Sequence, residues 1–191
     1  QKTGFFLDQR ENHAAAAGYA RGRLLDAFSY HGAIALALAA ACSSVEALDV
    51  SGDAVATIAS NAVKNRLPHV EVREANAFDE LRRLEKAGAR YETVVLDPPA
   101  FAKNKASVEK ALSGYKDINL RALRLLEPGG ILVTCSCSHH VSEETFAEVV
   151  HAAVKEHART GFRQEVWDQL AEGFRFVQGD FEDDEAFARL K

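Results

Sequence analysis

The sequence predicts an α/β fold with a doubly wound, mostly parallel sheet, and two observations predict it. Five short apolar runs, rich in Val and Leu and bounded by Gly, Asp, Pro or Asn, are typical of buried strands. Ala-rich or amphipathic segments separate these runs, and each is typical of a helix. Strand and helix patterns that alternate five times favour parallel strands with helices on both faces. The length of 191 residues suits one such domain.

The predicted elements follow one another along the chain. The candidate strands are 22–29, 45–51, 69–76, 91–99 and 129–138. The candidate helices are 33–42, 53–65, 77–88, 107–126 and 142–158. We expect Cys42 to lie in the first helix and in the core, and a Pro-Gly-Gly sequence to stop the fourth helix. Ser142, with Thr145 three residues on, predicts the cap of the last helix. Residues 174–178 could form one more strand.

Composition and charge limit the classes of protein to consider. The chain begins at Gln1 and has no Met, so we expect a piece of a longer protein. Three cysteines do not make a disulfide framework and indicate a reducing, cytoplasmic compartment. Residues 165–191 carry eight acidic and three basic side chains, which accounts for the whole net charge of −5. A nucleic-acid binder usually has a basic surplus, so most affinity for such a partner would have to come from elsewhere.

The end of the first strand predicts a cofactor without a phosphate. In a doubly wound sheet, ligands bind at the carboxyl ends of the strands. This strand ends in Asp26, and the following loop has a single glycine, Gly32, where a dinucleotide site needs G-x-G-x-x-G. S-adenosylmethionine has a sulfonium, an amino group and a carboxylate instead. We therefore expect Asp26, Ser29 and Gly32 to contact its amino acid end.

The next two strand ends suit the nucleoside part of the same cofactor. Asp49 ends the second strand, where a carboxylate can accept both ribose hydroxyls. Asn76, Ala77 and Phe78 follow the third strand, and we expect them to contact the edge and the face of the adenine. The alternative for Asn76 is an ordinary turn residue.

The fourth strand ends in Asp97-Pro98-Pro99, where the chemistry would occur. Each strand end also has an ordinary interpretation. Asp26 and Asp49 could be helix caps, and the two prolines could be a rigid exit from the sheet. Four suitable strand ends in order favour the functional interpretation.

Several longer stretches resemble a known family. "QKTGFFLDQREN" (1–12), "LLDAFSYHG" (24–32), "VVLDPPAFAKNK" (94–105) and "GYKDINLRALRLLEPGGILVTCSCSHH" (114–140) are similar to the catalytic domain of the ribosomal RNA large-subunit methyltransferase I family. Members are S-adenosylmethionine-dependent enzymes that form 5-methylcytosine in large-subunit ribosomal RNA. The resemblance implies a Rossmann-like class I methyltransferase fold, ribosomal RNA as partner, and a PUA-type RNA-binding domain before this segment. It covers roughly residues 1–160.

The resemblance also implies a division of the chain. Residues 1–22 would be a cofactor-covering segment, 23–160 the methyltransferase core and 161–191 a divergent C-terminal segment that lacks the family's usual ending. Within the first segment, the residues expected to contact the cofactor are Lys2, Thr3, Gly4 and Phe5. The alternative for that segment is a plain linker between domains. A homodimer is a further expectation.

Cys137 is the expected catalytic nucleophile, because it matches the cysteine of the family's "SCS" motif. A thiolate that adds to carbon 6 of cytosine makes carbon 5 nucleophilic. Cys135, two residues earlier on the same side of the strand, is expected to be a buried apolar residue. A zinc site that combines these thiols with His139 and His140 fails on spacing.

Around the thiol, Asp97 would hydrogen-bond the cytosine and also contact the cofactor. The expected substrate-binding residues are Pro98, Pro99, Phe101 and Lys103. The sequence does not identify the general base that removes the proton from carbon 5. Two other functions stay open. In one, the Asp-Pro-Pro segment and Phe101 grip a purine amine or ring nitrogen, and Cys137 is idle. In the other, the chain is a non-catalytic S-adenosylmethionine-binding or RNA-scaffold domain.

Overall fold

The computed structural model describes residues 9–157, 162–165 and 167–168. The chain divides into two compact units, Gln1–His157 and Ala158–Lys191, and the first contains the whole described sheet. Two predictions lie outside the described residues: the cofactor contacts from Lys2 to Phe5, and the strand at 174–178. None of the helices in the described part of the chain combines the length and apolar character needed to cross a bilayer.

Five parallel strands form one sheet, which confirms the predicted fold class. The strands are β1 (Gly22–Asp26), β2 (Cys42–Asp49), β3 (Val70–Glu74), β4 (Tyr91–Leu96) and β5 (Leu126–Thr134). Their order in the sheet is β3-β2-β1-β4-β5, and every neighbouring pair is parallel. The chain therefore places β2 and β3 on one side of β1 and then β4 and β5 on its other side. The order reverses between these two strands, which is where a doubly wound sheet opens a crevice for a ligand.

Within residues 9–157, six α-helices cover the two faces of the sheet. They are α1 (Arg10–Ala17), α2 (Ala33–Leu38), α3 (Gly52–Lys64), α4 (Ala77–Lys86), α5 (Val108–Leu125) and α6 (Glu143–His157). Alternate residues of one strand belong to different cores: Leu24 packs with α2 and α3, whereas Leu25 packs with α4 and α5. Successive side chains of a strand point to opposite faces, so the two apolar clusters lie on the two sides of the sheet.

The structure differs from the predicted elements in three places. Helix α1 was not predicted, because its sequence, RENHAAAA, has four alanines but no large apolar residue and so lacks a clear apolar stripe. The prediction that Cys42 lies in a helix is wrong: Ala39–Ala41 form a short 3₁₀ turn and Cys42 begins β2, paired with Gly22. Strand β5 starts at Leu126, so the Pro-Gly-Gly sequence lies within the strand rather than at the end of the helix.

Serine side chains cap two of the predicted helices, and one of these caps, Ser142, was expected from the sequence. The side chain of Ser142 accepts a hydrogen bond of 3.3 Å from the backbone amide of Thr145, as predicted for the cap of α6. Ser51 caps α3 in the same manner, by accepting from the amide of Ala54 at 3.4 Å. Because a serine takes this role at α3, the carboxylate of Asp49 is left for other partners.

Candidate active site

The carboxyl ends of β1 and β4 bring Asp26 and Asp97 together. Asp26 is completely buried, and neither of its carboxylate oxygens has a hydrogen-bond partner of good geometry. The hydroxyl of Ser29 donates to the backbone carbonyl of Asp26 at 3.0 Å rather than to its carboxylate. The side chain of Asp26 is therefore a buried acid that the described residues compensate only in part.

Burial raises the pKa of Asp26 to about 7, and the nearby charge of Asp97 contributes to this shift. Ser29 and the backbone amides of Phe28 and Ala35 lie close enough to lower the pKa, but they offset only part of the increase. A buried carboxylate is costly unless a cationic or hydrogen-bond-donating group pairs with it. The site thus suits a ligand that brings a positive charge or amine hydrogens.

The loop after β1 is held in a conformation that requires glycine. Gly32 has a φ of 79°, and a Cβ atom there would lie 3.0 Å from the Cγ2 atom of Ile58. The amide of Gly32 donates to the carbonyl of Ser29 at 2.7 Å, and the amide of Ser29 donates to the carbonyl of Leu48 at 2.8 Å. Tyr30 has a positive φ of 50° as well. The conformation of this tight turn next to Asp26 therefore depends on glycine at position 32.

Asp49 is fixed by two backbone amides at the end of β2. One oxygen accepts from the amide of Tyr30 at 2.9 Å, and the other accepts from the amide of Ser51 at 2.9 Å. Each oxygen keeps a lone pair for a further donor, as binding to vicinal hydroxyls would require. The next residue, Val50, is 68% exposed, and it was not among the residues expected from the sequence.

Asn76 caps α4, and this limits its expected role. Its side-chain oxygen accepts from the amides of Phe78 at 3.0 Å and Asp79 at 3.4 Å, while Ala77 is buried in the first turn. The amide nitrogen of Asn76 is the part of the side chain that the cap does not use. The ring of Phe78 packs in the core beside Phe101, with 5.7 Å between ring centroids, although it was expected to cover an adenine face.

The segment after β4 carries the expected substrate residues in different environments. Asp97 is half-buried, Pro98 is buried, and Pro99 and Lys103 are exposed. Phe101 packs against Tyr115 with 4.6 Å between ring centroids. Three aromatic rings thus surround that of Phe101, namely Phe28, Phe78 and Tyr115.

The two thiols after β5 lie near Asp97 but differ in exposure. The amide of Cys135 donates to the carbonyl of Leu96 at 2.8 Å, which continues the pairing one residue beyond the strand. Burial raises the pKa of Cys135 to about 12, and the charges of Asp97 and Asp26 add to this. Cys137 is exposed, and its Sγ donates to the carbonyl oxygen of Pro98 at 3.4 Å. Partial burial and Asp97 also raise the pKa of Cys137, so both groups are thiols at neutral pH.

A buried phenol connects the segments after β4 and β5. Tyr115 of α5 is completely buried, so it does not contact RNA. Its hydroxyl lies 2.8 Å from Ser138 Oγ and accepts from Ser136 Oγ at 3.1 Å. Ser138 Oγ also accepts from the amide of Ala102 at 3.0 Å. The "SCS" pattern, with polar residues on either side of the cysteine, is the only sequence signal for this network.

The remaining polar residues near the thiols are His139 and His140. Both are exposed, with 5.5 Å between their ring centroids. In the part of the chain that the structure describes, no group of three or more His, Cys, Asp or Glu side chains is arranged to hold a metal ion.

Curated relatives share close to half of the sequence over the core. The chain is 45% identical over 153 residues to ribosomal RNA large subunit methyltransferase I of Shewanella frigidimarina, a match that covers 78% of this chain and 38% of the relative. It is 42% identical over 162 residues to the protein of the same name from Tolumonas auensis, covering 83% of this chain and 41% of the relative. The chain therefore spans about two fifths of the length of these relatives.

Solved structures with low sequence identity share the fold. A SAM-dependent methyltransferase from Agrobacterium tumefaciens superposes with a TM-score of 0.69 at 21% identity, covering 81% of this chain and 52% of the other. The protein SMU.776, complexed with SAH, gives a TM-score of 0.68 at 22% identity, covering 80% and 41%. The sequence profile of S-adenosylmethionine-dependent methyltransferases matches residues 1–165. The chain belongs to this family of S-adenosylmethionine-dependent methyltransferases.

Proposed function

We propose that this chain forms 5-methylcytosine in large-subunit ribosomal RNA through a covalent adduct between Cys137 and carbon 6 of the cytosine. The observation that carries the proposal is the exposed thiol of Cys137, near Asp97 and against the Pro98 carbonyl, at the same edge of the sheet as Asp26. The relatives named ribosomal RNA large subunit methyltransferase I support the choice of RNA.

The residues at the ends of β1 and β2 fit the cofactor of the family. The unpartnered carboxylate of Asp26 suits the amino group of S-adenosylmethionine, and Asp49 keeps lone pairs for ribose hydroxyls. The exposed side chain of Val50 offers an apolar surface for the adenine beside them. When bound, S-adenosylmethionine supplies an electrophilic methyl group. We propose that Ser29, Gly32, Asn76 and Ala77 shape the same site.

The chemistry assigned to the protein is the activation of carbon 5. The Cys137 thiol loses its proton as its sulfur bonds to carbon 6, and the electron pair of the ring double bond becomes available at carbon 5. Asp97, within electrostatic reach of the thiol, takes up that proton and shares it with ring nitrogen 3, which offsets the charge that develops there. After methylation, the proton on carbon 5 passes to water, and its electron pair re-forms the ring double bond as the sulfur–carbon bond breaks. The proton shared by Asp97 and ring nitrogen 3 then returns to the sulfur and restores the thiol.

The elevated pKa of Cys137 explains why Asp97 matters to this scheme. A thiolate beside an ionised Asp97 is disfavoured, so the resting enzyme keeps the proton on sulfur. When the cytosine is bound, Asp97 shares a proton with its ring nitrogen 3. The carboxylate charge is then neutralised, and its repulsion of the thiolate is removed. Cys137 therefore becomes a good nucleophile only when a cytosine occupies the site.

The environment of Phe101 weighs against the alternative function, which is methylation of a purine amine or ring nitrogen. Such an enzyme needs an aromatic ring after the Asp-Pro-Pro segment that is free to stack on the target base. Here the half-buried ring of Phe101 packs against three other aromatic rings beside the core, and Ala100 precedes it. We therefore propose that Pro98 and Pro99 line the base site, while the exposed Lys103 contacts the RNA backbone.

Binding of RNA is proposed to depend on more than this chain. Because the net charge before residue 165 is zero, the core provides little general attraction for phosphates. We propose that a PUA-type RNA-binding domain in the longer protein provides it, consistent with the share of the relatives that this chain covers.

A suicide substrate tests the covalent mechanism. The chain, joined to a PUA-type RNA-binding domain, would be incubated with S-adenosylmethionine and ribosomal RNA that contains 5-fluorocytosine. The fluorine cannot leave as a proton would, so a covalent adduct should accumulate and resist denaturing electrophoresis. The Cys137→Ala variant should form no adduct, whereas the matched Cys135→Ala variant should form it as the wild type does.

Three results would contradict the proposal, each in a different way. Normal methylation by Cys137→Ala would exclude the thiol mechanism. Methylated adenine or guanine in the RNA digest would identify the purine enzyme. Failure to bind S-adenosylmethionine in isothermal titration would leave a scaffold domain.

A further inference from the structure

Two loops carry the residues of the proposed mechanism, and one buried side chain joins them. Asp97 and Pro98 lie on the segment after β4, and Cys137 lies on the segment after β5. Ser138 Oγ accepts from the amide of Ala102 at 3.0 Å, which ties the second segment to the first. The Tyr115 hydroxyl, 2.8 Å from the same Oγ, ties both to helix α5.

The hydrogen bonds of this network have one favoured direction. Ser136 Oγ donates to the Tyr115 hydroxyl at 3.1 Å. The phenol then gives its own proton to Ser138 Oγ, because a phenol is a stronger donor than an aliphatic alcohol. Ser138 Oγ thus accepts from both Tyr115 and Ala102. The phenol is the central member, since its oxygen bonds to both serine hydroxyls; the amide of Ser138 also donates to Ser136 Oγ at 3.4 Å.

Cys137 lies between the two serines that the phenol holds. Ser138 is 4% exposed and Ser136 is half-buried, whereas the Cys137 side chain between them is exposed. Fixing the hydroxyls on either side of the cysteine fixes its backbone and thus the direction of its Cα–Cβ bond. The 3.4 Å contact between Sγ and the Pro98 carbonyl spans the same two segments that Ser138 joins.

We infer that Tyr115 is a positioning residue, whose hydroxyl holds Cys137 in register with Asp97 and Pro98 for attack on the cytosine. This inference rests on the proposed function. The ring of Tyr115 has a separate structural role, because it packs against Phe101 at 4.6 Å and Phe146 at 5.3 Å between centroids. The substitution Tyr115→Phe removes the hydroxyl and keeps this packing, so it isolates the positioning role.

Tyr91 provides the matched control. It is 1% exposed, it lies at the amino end of β4, and its hydroxyl makes no hydrogen bond of good geometry. The substitution Tyr91→Phe therefore removes an equally buried phenol hydroxyl at the opposite edge of the sheet from Cys137.

Three measurements on the two variants and the wild type test the inference. For Tyr115→Phe we expect kcat for methyl transfer to ribosomal RNA to fall about tenfold to a hundredfold, with KM for RNA and Kd for S-adenosylmethionine within about twofold of wild type. We also expect iodoacetamide to alkylate Cys137 faster, as read by mass spectrometry, because the segment is less constrained and its thiol is better solvated. Tyr91→Phe should match the wild type in all three measurements.

Each contrary outcome has one meaning. A wild-type kcat and alkylation rate in Tyr115→Phe would overturn the inference, and so would parallel losses of kcat, cofactor affinity and melting temperature, which indicate a general structural defect. The alkylation measurement needs no catalysis, so it decides the matter even when turnover is too slow to measure. If Cys137→Ala is fully active, the proposed function fails; if Cys137 is essential and Tyr115→Phe is silent, only the present inference fails.

Discussion

Asp26 lies close enough to Asp97, across the ends of two adjacent strands, for the charge on Asp97 to help raise its pKa to about 7. In an unfolded chain the pKa of Asp26 would be near 3.8. Between these values the folded protein holds a proton that the unfolded chain has lost. The free energy of unfolding should therefore fall as pH rises from about 4 to about 7. Above about pH 7 the ionisation of Asp26 should cause no further change.

Asp26→Asn should stabilise the cofactor-free protein at high pH. Asparagine stays neutral, so the substitution removes the cost of a buried charge that the wild type bears above pH 7. We expect a gain of roughly 1–3 kcal/mol in the free energy of unfolding at pH 8 and little change at pH 4. Urea titrations at both pH values measure this, and equal stability of the two proteins at pH 8 would contradict it.

The same ionisation should control cofactor binding. The carboxylate form of Asp26 pairs with an amino group, whereas the protonated form does not, so affinity for S-adenosylmethionine should increase from pH 6 to pH 8. Isothermal titration should show about a tenfold change in the wild type and a flat profile in Asp26→Asn. A wild-type affinity that does not depend on pH would exclude direct pairing with Asp26.

Gly32→Ala should weaken the loop after β1 more than Gly88→Ala weakens the end of α4. Both glycines have positive φ, at 79° and 69°, so both substitutions carry the backbone cost of about 1–2 kcal/mol. Only at Gly32 would the new Cβ press on Ile58, at 3.0 Å, while nothing lies within 4 Å at Gly88. We expect a larger loss of stability and weaker S-adenosylmethionine binding for Gly32→Ala alone. Chemical denaturation and titration calorimetry compare the two.

Substitutions of Asn76 separate its capping role from a cofactor contact. Asn76→Ala should cost about 1 kcal/mol of stability, because it removes the acceptor for two amides of α4. Asn76→Asp keeps that acceptor and adds a favourable charge at the start of the helix. If the amide nitrogen also donates to the cofactor, Asn76→Asp should retain stability and bind S-adenosylmethionine about tenfold more weakly. Unchanged binding would leave Asn76 as a cap alone.

The rate of methyl transfer should still increase at pH 9. Burial and Asp97 raise the pKa of Cys137 above the ordinary value of 9.0, so the thiolate is a minor species throughout the neutral range. Single-turnover rates measured from pH 7 to pH 9.5 test this. A plateau below pH 8 would indicate that loss of the thiol proton does not limit the reaction.

The sequence was informative where local pattern and sheet position coincide. Asp49 and Asp97 follow buried apolar strands, and the parallel arrangement of those strands was sufficient to place both at one edge of the sheet. The second cofactor-side acid, Asp26, was found in the same way. Its complete burial was not predictable, because it depends on how closely the loop through Gly32 covers it.

The errors arose where the decisive contacts are distant in sequence. Ala39–Ala41 and Cys42 look helical from composition, but Cys42 pairs with Gly22, twenty residues earlier. Phe78 was expected at an adenine because it follows a strand end, yet its ring packs beside Phe101. Tyr115 contacts hydroxyls that lie more than twenty residues away, and no periodicity along α5 reveals such a contact.

The irregular pairing between β4 and β5 separates the two halves of β5. Tyr91 pairs with Leu126, and Thr93 then pairs with Ile131, so three extra residues are accommodated at the amino end of the strand. From Ile131 to Thr134 the register is regular. The alignment of the thiol-bearing end is consequently set by the pairs next to it rather than by the length of the preceding turn. We therefore expect short insertions near Gly129 to leave the position of Cys137 unchanged, which makes this irregular segment of β5 a suitable attachment point for labels.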